Sequence, residues 1–150
     1  MPADIDIRAA TPADLDDVLR LLRAQFTAHQ LAPAEDGLAR LVARVLAGGD
    51  EGAFLVAVTA GRVVGVAALS FAWPLERGER SAWLEELYVE PAMRNAGIGA
   101  RLLDAATRFA RDAGATTMDL EVAAGHEDAG RLYARAGFAP LPRSHWMRRL

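Results

Sequence analysis

A chain of 150 residues, 52% hydrophobic and 25% charged, can bury a core and is of a size expected for one domain spanning residues 1–150. Its net charge of −3 offers no concentrated positive field, which argues against nucleic acid and anionic membrane surfaces and mildly favours small cationic molecules. Cysteine is absent, which excludes disulfides, thiolate metal sites and an acyl-cysteine step, so that any acyl transfer must be direct. Met1 to Arg8 carries acidic residues and no apolar segment ahead of a small-residue cleavage site, unlike a secretory leader. No stretch approaches the roughly 20 apolar residues of a membrane helix, and the cytoplasm is the expected compartment. All 17 basic residues are arginine, a bias we read as coding preference.

Ile5-Asp6-Ile7-Arg8 alternates as a short strand does. Thr11-Pro12-Ala13-Asp14 then supplies an N-cap, a first-turn proline and an acid at N3. A helix is predicted to start there, burying Leu15, Val18, Leu19, Leu22 and Phe26 and ending near Ala28. A second helix follows Pro33, with Leu38, Leu41, Val42 and Val45 as its buried face and Gly48-Gly49 as its stop. Ala53 to Thr59 and Arg62 to Phe71, joined by Ala60-Gly61, read as a hairpin, and Trp73 to Arg80 as a polar loop. Trp83 to Val89 is a third core strand, stopped by Pro91. Ile98, Leu102, Ala105, Phe109 and Ala113 describe a long helix closed by Gly114. Thr117 to Val122 alternates as a half-buried strand. Ala129, Leu132, Tyr133 and Ala136 mark a short helix ended by Gly137-Phe138 as a Schellman pair. A last strand is expected from His145 to Leu150, and its exposed edge is a route to a homodimer. The order β-α-α-β-β-β-α-β-α-β, without repeats or low-complexity linkers, predicts a mixed α/β sandwich instead of a doubly wound parallel sheet.

Arg94-Asn95-Ala96-Gly97-Ile98-Gly99 lies directly between a strand and a helix, where free backbone N–H groups and the positive helix end attract an anion. Glycines at 97 and 99 let the backbone approach a bulky diphosphate, and Arg94 and Arg101 can add charge. A glycine turn before a helix is common in α/β loops, so this spacing gains weight only from its neighbours.

Three segments occur in order: Leu87-Tyr88-Val89-Glu90-Pro91, Arg94-x-x-Gly97-x-Gly99 and Leu132-Tyr133-x-x-x-Gly137-Phe138. Together they resemble the core of the GNAT acetyltransferases, whose signature is Q/R-x-x-G-x-G/A, over roughly residues 53 to 150. The resemblance implies a GNAT-like mixed, mostly antiparallel sheet of roughly six to seven strands, with splayed central strands and about four flanking helices. It implies acetyl-coenzyme A as donor, its pyrophosphate on the backbone amides of Asn95, Ala96, Gly97, Ile98, Gly99 and Ala100, with Arg94 beside them. The splayed strand's backbone at Leu87, Tyr88 and Val89 is then expected to pair with the pantetheine arm, which satisfies groups that a gap in the sheet leaves bare. The family often carries asparagine seven residues before the tyrosine; here His126 stands there and is expected to reach the cofactor with altered geometry.

An amine is mostly protonated at neutral pH, so its attack on a thioester needs a carboxylate to take the proton, usually through water. Glu85 and Glu86 are the candidates, and regular strand alternation points them to opposite faces. Glu85 is favoured, since the same offset from Val89 carries the proposed base in polyamine-acetylating relatives, with Glu86 in reserve. Solvated strand-edge carboxylates are the competing reading. Tyr133 is the candidate proton donor to the leaving thiolate; helical periodicity alone would make it a core residue, and the Leu-Tyr-x-x-x-Gly-Phe context favours the catalytic role. His29 and His145 have no partner pattern and read as structural, and no cluster has metal-ligand spacing.

An acceptor pocket would draw on Phe26, His29, Phe71, Trp73, Trp83 and Trp146, and rings beside two glutamates suit a polyamine-like or other primary amine. The same rings can equally fill the core. Acetylation of a protein N-terminus or an antibiotic amine, and a non-catalytic acetyl-coenzyme A sensor, are the alternatives; a sensor needs neither Tyr133 nor the glutamates. A nucleotide-binding fold is disfavoured by the lack of the G-x-G-x-x-G order.

Overall fold

The structure, a computed structural model, describes residues 4–150, so the start of the Met1 to Arg8 stretch lies outside the described residues. Strand β1 (Asp6–Ala9) is followed by helices α1 (Leu15–Ala28) and α2 (Glu35–Leu46), then by strands β2 (Gly52–Thr59), β3 (Arg62–Ala72) and β4 (Ser81–Val89). Helix α3 (Ile98–Asp112), strand β5 (Thr117–Leu120) and helix α4 (Glu127–Arg135) complete the order.

The entry to α1 forms as its sequence dictates. Asp14 accepts from the Thr11 backbone N–H at 2.8 Å, closing a capping box, and receives both arms of the Arg8 guanidinium at 2.7 and 3.0 Å. At the other end of the chain, Gly137 at φ +94° lets the Phe138 N–H reach the Tyr133 carbonyl at 3.0 Å, which is the Schellman closure of α4.

The five strands lie in the order β1-β2-β3-β4-β5, antiparallel except for the parallel β4–β5 pair. Helices α1 and α2 cover one face through Val18, Leu21, Leu22, Val42 and Leu46, packed on Val56, Val66 and Tyr88. Helix α3 covers the other through Ile98, Leu102, Leu103 and Ala106, packed on Val64, Ala67, Leu84 and Val89, with Leu132 and Tyr133 of α4 against its rim. Removing a fully buried side chain such as Leu102 would cost about 2–5 kcal/mol.

Three expectations change. The sheet has five strands among the described residues, where six to seven were expected. The predicted strand from His145 to Leu150 does not form: Ala139 to Leu150 is exposed and irregular, and Pro140 and Pro142 remove two backbone donors from the approach to it. That segment is tied down by Arg143 to Glu76 and by His145 to Glu121, so no C-terminal strand offers a pairing edge. On α2 the buried stripe is Leu38, Val42 and Leu46, while Leu41 is 54% exposed, because only a narrow i, i+4 face of this helix meets the sheet and α1.

The splay was expected and is present. The β4–β5 ladder runs from Ser81↔Thr117 to Leu84↔Leu120 and stops, while β4 continues to Val89 with β3 on one side only. Below the stop the two strands are locked by side chains. Arg77 grips Asp119 with both arms at 2.7 and 2.9 Å, and Ser81 Oγ donates to the same carboxylate at 2.9 Å.

Candidate active site

Above the stop, the edge of β4 faces a gap in the sheet. Its residues Glu85 to Val89 keep their β3 partners, but the side that β5 would occupy carries no strand. Unsatisfied edge groups are costly when buried, so the gap suits an extended ligand able to pair with them.

Register decides what projects around that gap. Ala68 pairs with Glu86 and Leu69 with Leu84, leaving Glu85 as the extra residue of a β-bulge. Alternation is therefore broken: Leu84 and Leu87, three positions apart, both pack against the α3 side. Glu86 faces α1, where Gln25 Nε2 donates to its Oε2 at 3.1 Å and to the Leu87 carbonyl at 3.4 Å. Glu85 faces the same side, since its Oε1 accepts from Ser70 Oγ at 2.5 Å and Ser70 alternates with the α3-facing Leu69 and Phe71. The expectation that the two glutamates oppose each other fails because of this one inserted residue.

Their environments differ. Glu85 is exposed and Glu86 half-buried. Burial pushes the Glu86 carboxyl above the usual carboxylate range, and the neighbouring charge of Glu85 adds to the rise; the bond from Gln25 opposes it. Helix α1 is held over this carboxyl by Arg20, which reaches Glu90 at the end of β4 at 2.5 Å and the Val63 carbonyl at 2.8 Å.

Tyr133 approaches the gap from the opposite, α3 side. Its ring packs edge-on against Phe138 with centroids 5.9 Å apart. Burial raises its phenol, and the charge of Glu86 raises it further. The Glu86 carboxylate and the Tyr133 hydroxyl thus stand on the two sides of one window in the sheet.

The turn before α3 is an anion cradle in form. None of the backbone N–H groups from Asn95 to Ala100 has an acceptor among the described residues, and the first α3 bond is Arg101 N–H to the Gly97 carbonyl at 3.1 Å. Asn95 and Gly97 adopt left-handed φ of +61° and +77°, which folds successive N–H groups toward one concavity. Gly97 is required by that φ. Gly99 is not: a Cβ there would meet only Leu132, at 3.9 Å, so neither backbone nor packing accounts for its missing side chain. Ile98 is buried beneath the turn, whereas Ala96 and Ala100 are exposed. Arg94 Nε donates to the Val89 carbonyl at 2.9 Å with its guanidinium 5.4 Å from the Tyr88 ring, which holds it between strand and cradle. Arg101 instead donates to the Ile5 carbonyl at 2.7 Å.

His126, at the start of α4, stacks on His29 at the end of α1 with centroids 4.4 Å apart, beside a cleft of about 400 Å³. His29, which lacks a partner pattern in the sequence but belongs to the expected acceptor set, lies against His126, while Gln25 and Ser70, which no motif marks, hold the two glutamates. Of the aromatic set, Trp83 occupies the strand position paired with Ser70, whose hydroxyl holds Glu85. Phe26 and Phe71 pack into the two cores, and Trp73 and Trp146 are 70% and 90% exposed. Among the described residues no group of three or more side chains is placed to hold a metal ion, and no helix is long and apolar enough to cross a membrane.

The chain is similar to known proteins in sequence and in fold. The chain is 31% identical over 134 residues to an uncharacterised N-acetyltransferase of Methanocaldococcus jannaschii, covering 88% of this chain and 59% of that one. It is 35% identical over 85 residues to the aminoalkylphosphonate N-acetyltransferase of Salmonella typhimurium, covering 57% of this chain and 55% of the relative. The matches therefore span less than two thirds of either relative's length. An aminoglycoside N-acetyltransferase solved with coenzyme A has the same fold at a TM-score of 0.85, with 21% identity over 99% of this chain and 97% of that one. Residues 15–138 match the model of the acetyltransferase (GNAT) family, and the chain belongs to that family of acyltransferases.

Proposed function

We propose that this chain is a single-domain cytoplasmic N-acetyltransferase that moves an acetyl group from acetyl-coenzyme A directly to the primary amine of a small molecule, with both substrates bound together. The observation that carries this reading is the window beyond Leu84, with a half-buried carboxylate on one side and a phenol on the other. The residues present fit the donor: free N–H groups at Asn95 to Ala100 suit a diphosphate, and the bare β4 edge at Leu87 to Val89 suits the amide-bearing pantetheine arm. When bound, the donor supplies a thioester-activated acetyl group. Relatives named for aminoalkylphosphonates and aminoglycosides support a small-molecule amine as acceptor.

Glu86 serves as the base in preference to Glu85. An amine reaches the site as an ammonium ion, and a carboxylate whose proton affinity is raised by burial is better matched to take its proton. Gln25 holds that carboxylate in place. Tyr133 donates a hydrogen bond to the departing sulfur from the other side of the window, where burial keeps its phenol protonated. His126 stands beside the donor path, with its ring backed by His29.

Calorimetry with acetyl-coenzyme A, followed by release of free coenzyme A across a panel of amines, tests this reading. Gly99→Leu should weaken donor binding by about a hundredfold, with a thermal melt beside it to check the fold, since a Cβ at this position meets only Leu132. Tyr133→Phe should lower kcat by about ten- to a hundredfold with donor affinity intact. Absence of donor binding by the folded protein overturns the proposal, and unchanged turnover in Tyr133→Phe removes the tyrosine's role.

A further inference from the structure

The bulge in β4 does more than select a base. It sets two carboxylates from adjacent residues side by side on the α1 face, at a point where no arginine pairs with either among the described residues. Arginines of α1 and of the turn before β4 are committed elsewhere: Arg20 to Glu90 and Asp17, Arg23 to Glu35, Arg77 to Asp119. Each glutamate is held by a neutral donor alone, Glu85 by the Ser70 hydroxyl and Glu86 by the Gln25 amide. A hydroxyl or amide fixes a carboxylate's position without cancelling its charge, and two unneutralised charges this close repel each other. Indeed the charge of Glu85 contributes to the raised proton affinity of Glu86. Only one of the two can receive the proton of the reacting amine.

Resting on the acetyltransferase reading of this site, we propose that Glu85 is a specificity-determining residue that holds a second positive charge on the acceptor while Glu86 takes the proton of the reacting amine, so that the acceptors are short aliphatic diamines or polyamines. Ser70 aims the Glu85 carboxylate. Trp83, on the strand position opposite Ser70, supplies an aromatic wall beside the acceptor's methylene chain. The inserted residue is what makes the arrangement possible, since a regular strand would turn one of the two glutamates to the α3 side.

Steady-state kinetics with diaminobutane and butylamine test the assignment, because these acceptors share chain length and differ in the second ammonium. The wild-type protein should favour diaminobutane in kcat/KM by at least about tenfold, the size of one charge-assisted contact. Glu85→Gln should reduce that preference about tenfold, chiefly through KM for the diamine, and Glu85→Asp should restore part of it. Ser70→Ala should move the ratio the same way by a smaller factor. Thermal melts of each variant exclude misfolding as the cause. Equal use of the two amines by the wild type, or an unchanged ratio in Glu85→Gln, overturns the proposal. Donor binding without turnover of either amine overturns the diamine class while leaving the donor site standing, whereas failure to bind acetyl-coenzyme A removes both.

Discussion

The two ends of β4 use their polar groups in opposite ways. From Ser81 to Leu84 the strand has neighbours on both sides, and Ser81, Thr117, Asp119 and Arg77 satisfy one another in a closed network. From Glu85 to Val89 it has a neighbour on one side, an inserted residue, and two carboxylates with neutral partners. The first end is saturated and contributes stability. The second leaves edge groups and charges for a ligand to meet, which is the usual division between a scaffold and the site it supports.

The sharpest way to break this comparison is to neutralise each end in turn. Glu86→Gln keeps the shape and the Gln25 contact but removes the proposed base, and kcat should fall by about a hundred- to ten-thousandfold, measured by coenzyme A release at saturating substrates. Asp119→Ala should leave kcat within about twofold and instead cost about 2 kcal/mol, because Arg77 and Ser81 lose their shared acceptor at a largely buried position. That loss corresponds to a melting temperature lower by about 5 °C. A large kcat effect from Asp119→Ala, or a large stability loss from Glu86→Gln, would erase the distinction between the ends.

How much of this was legible depends on how local each feature is. The stripes Val18-Leu22 and Ile98-Leu102, the Thr11/Asp14 box and the Gly137-Phe138 stop are each decided within a turn or two of chain, and each formed as read. The cradle and Tyr133 were likewise marked by short motifs. The bulge was not seen, although the spacing Leu84-Glu85-Glu86-Leu87 holds its trace: three positions between two leucines that share a core break the period of two. Gln25 lies 61 residues from the carboxylate it holds, and nothing in its own segment announces that partner. The expected last strand failed for a related reason. Trp146, Met147 and Leu150 have strand-forming character, but a strand needs an edge to join, and the four residues of β5 together with Pro140 and Pro142 provide no such pairing here.

The smallest expected effect is also the most informative about what the open end costs. Burial raises the Glu86 carboxyl above its unfolded value, so the folded protein binds this proton more tightly than the unfolded chain does. The corresponding stabilisation is complete below the unfolded value of about 4.3 and is lost as pH rises through the higher folded value. At neutral pH the ionised Glu86 is therefore a net burden on folding, softened by solvent screening at a half-buried site. Glu86→Gln removes that burden while keeping a carbonyl for Gln25 to meet, so it should melt about 1–2 °C higher than the wild type at pH 7. The difference should vanish near pH 4, where the wild-type carboxyl is protonated. Paired melts at the two pH values measure it. A variant that melts lower at pH 7 would mean that the ionised carboxylate is a structural partner after all, and that the two ends of β4 do the same work.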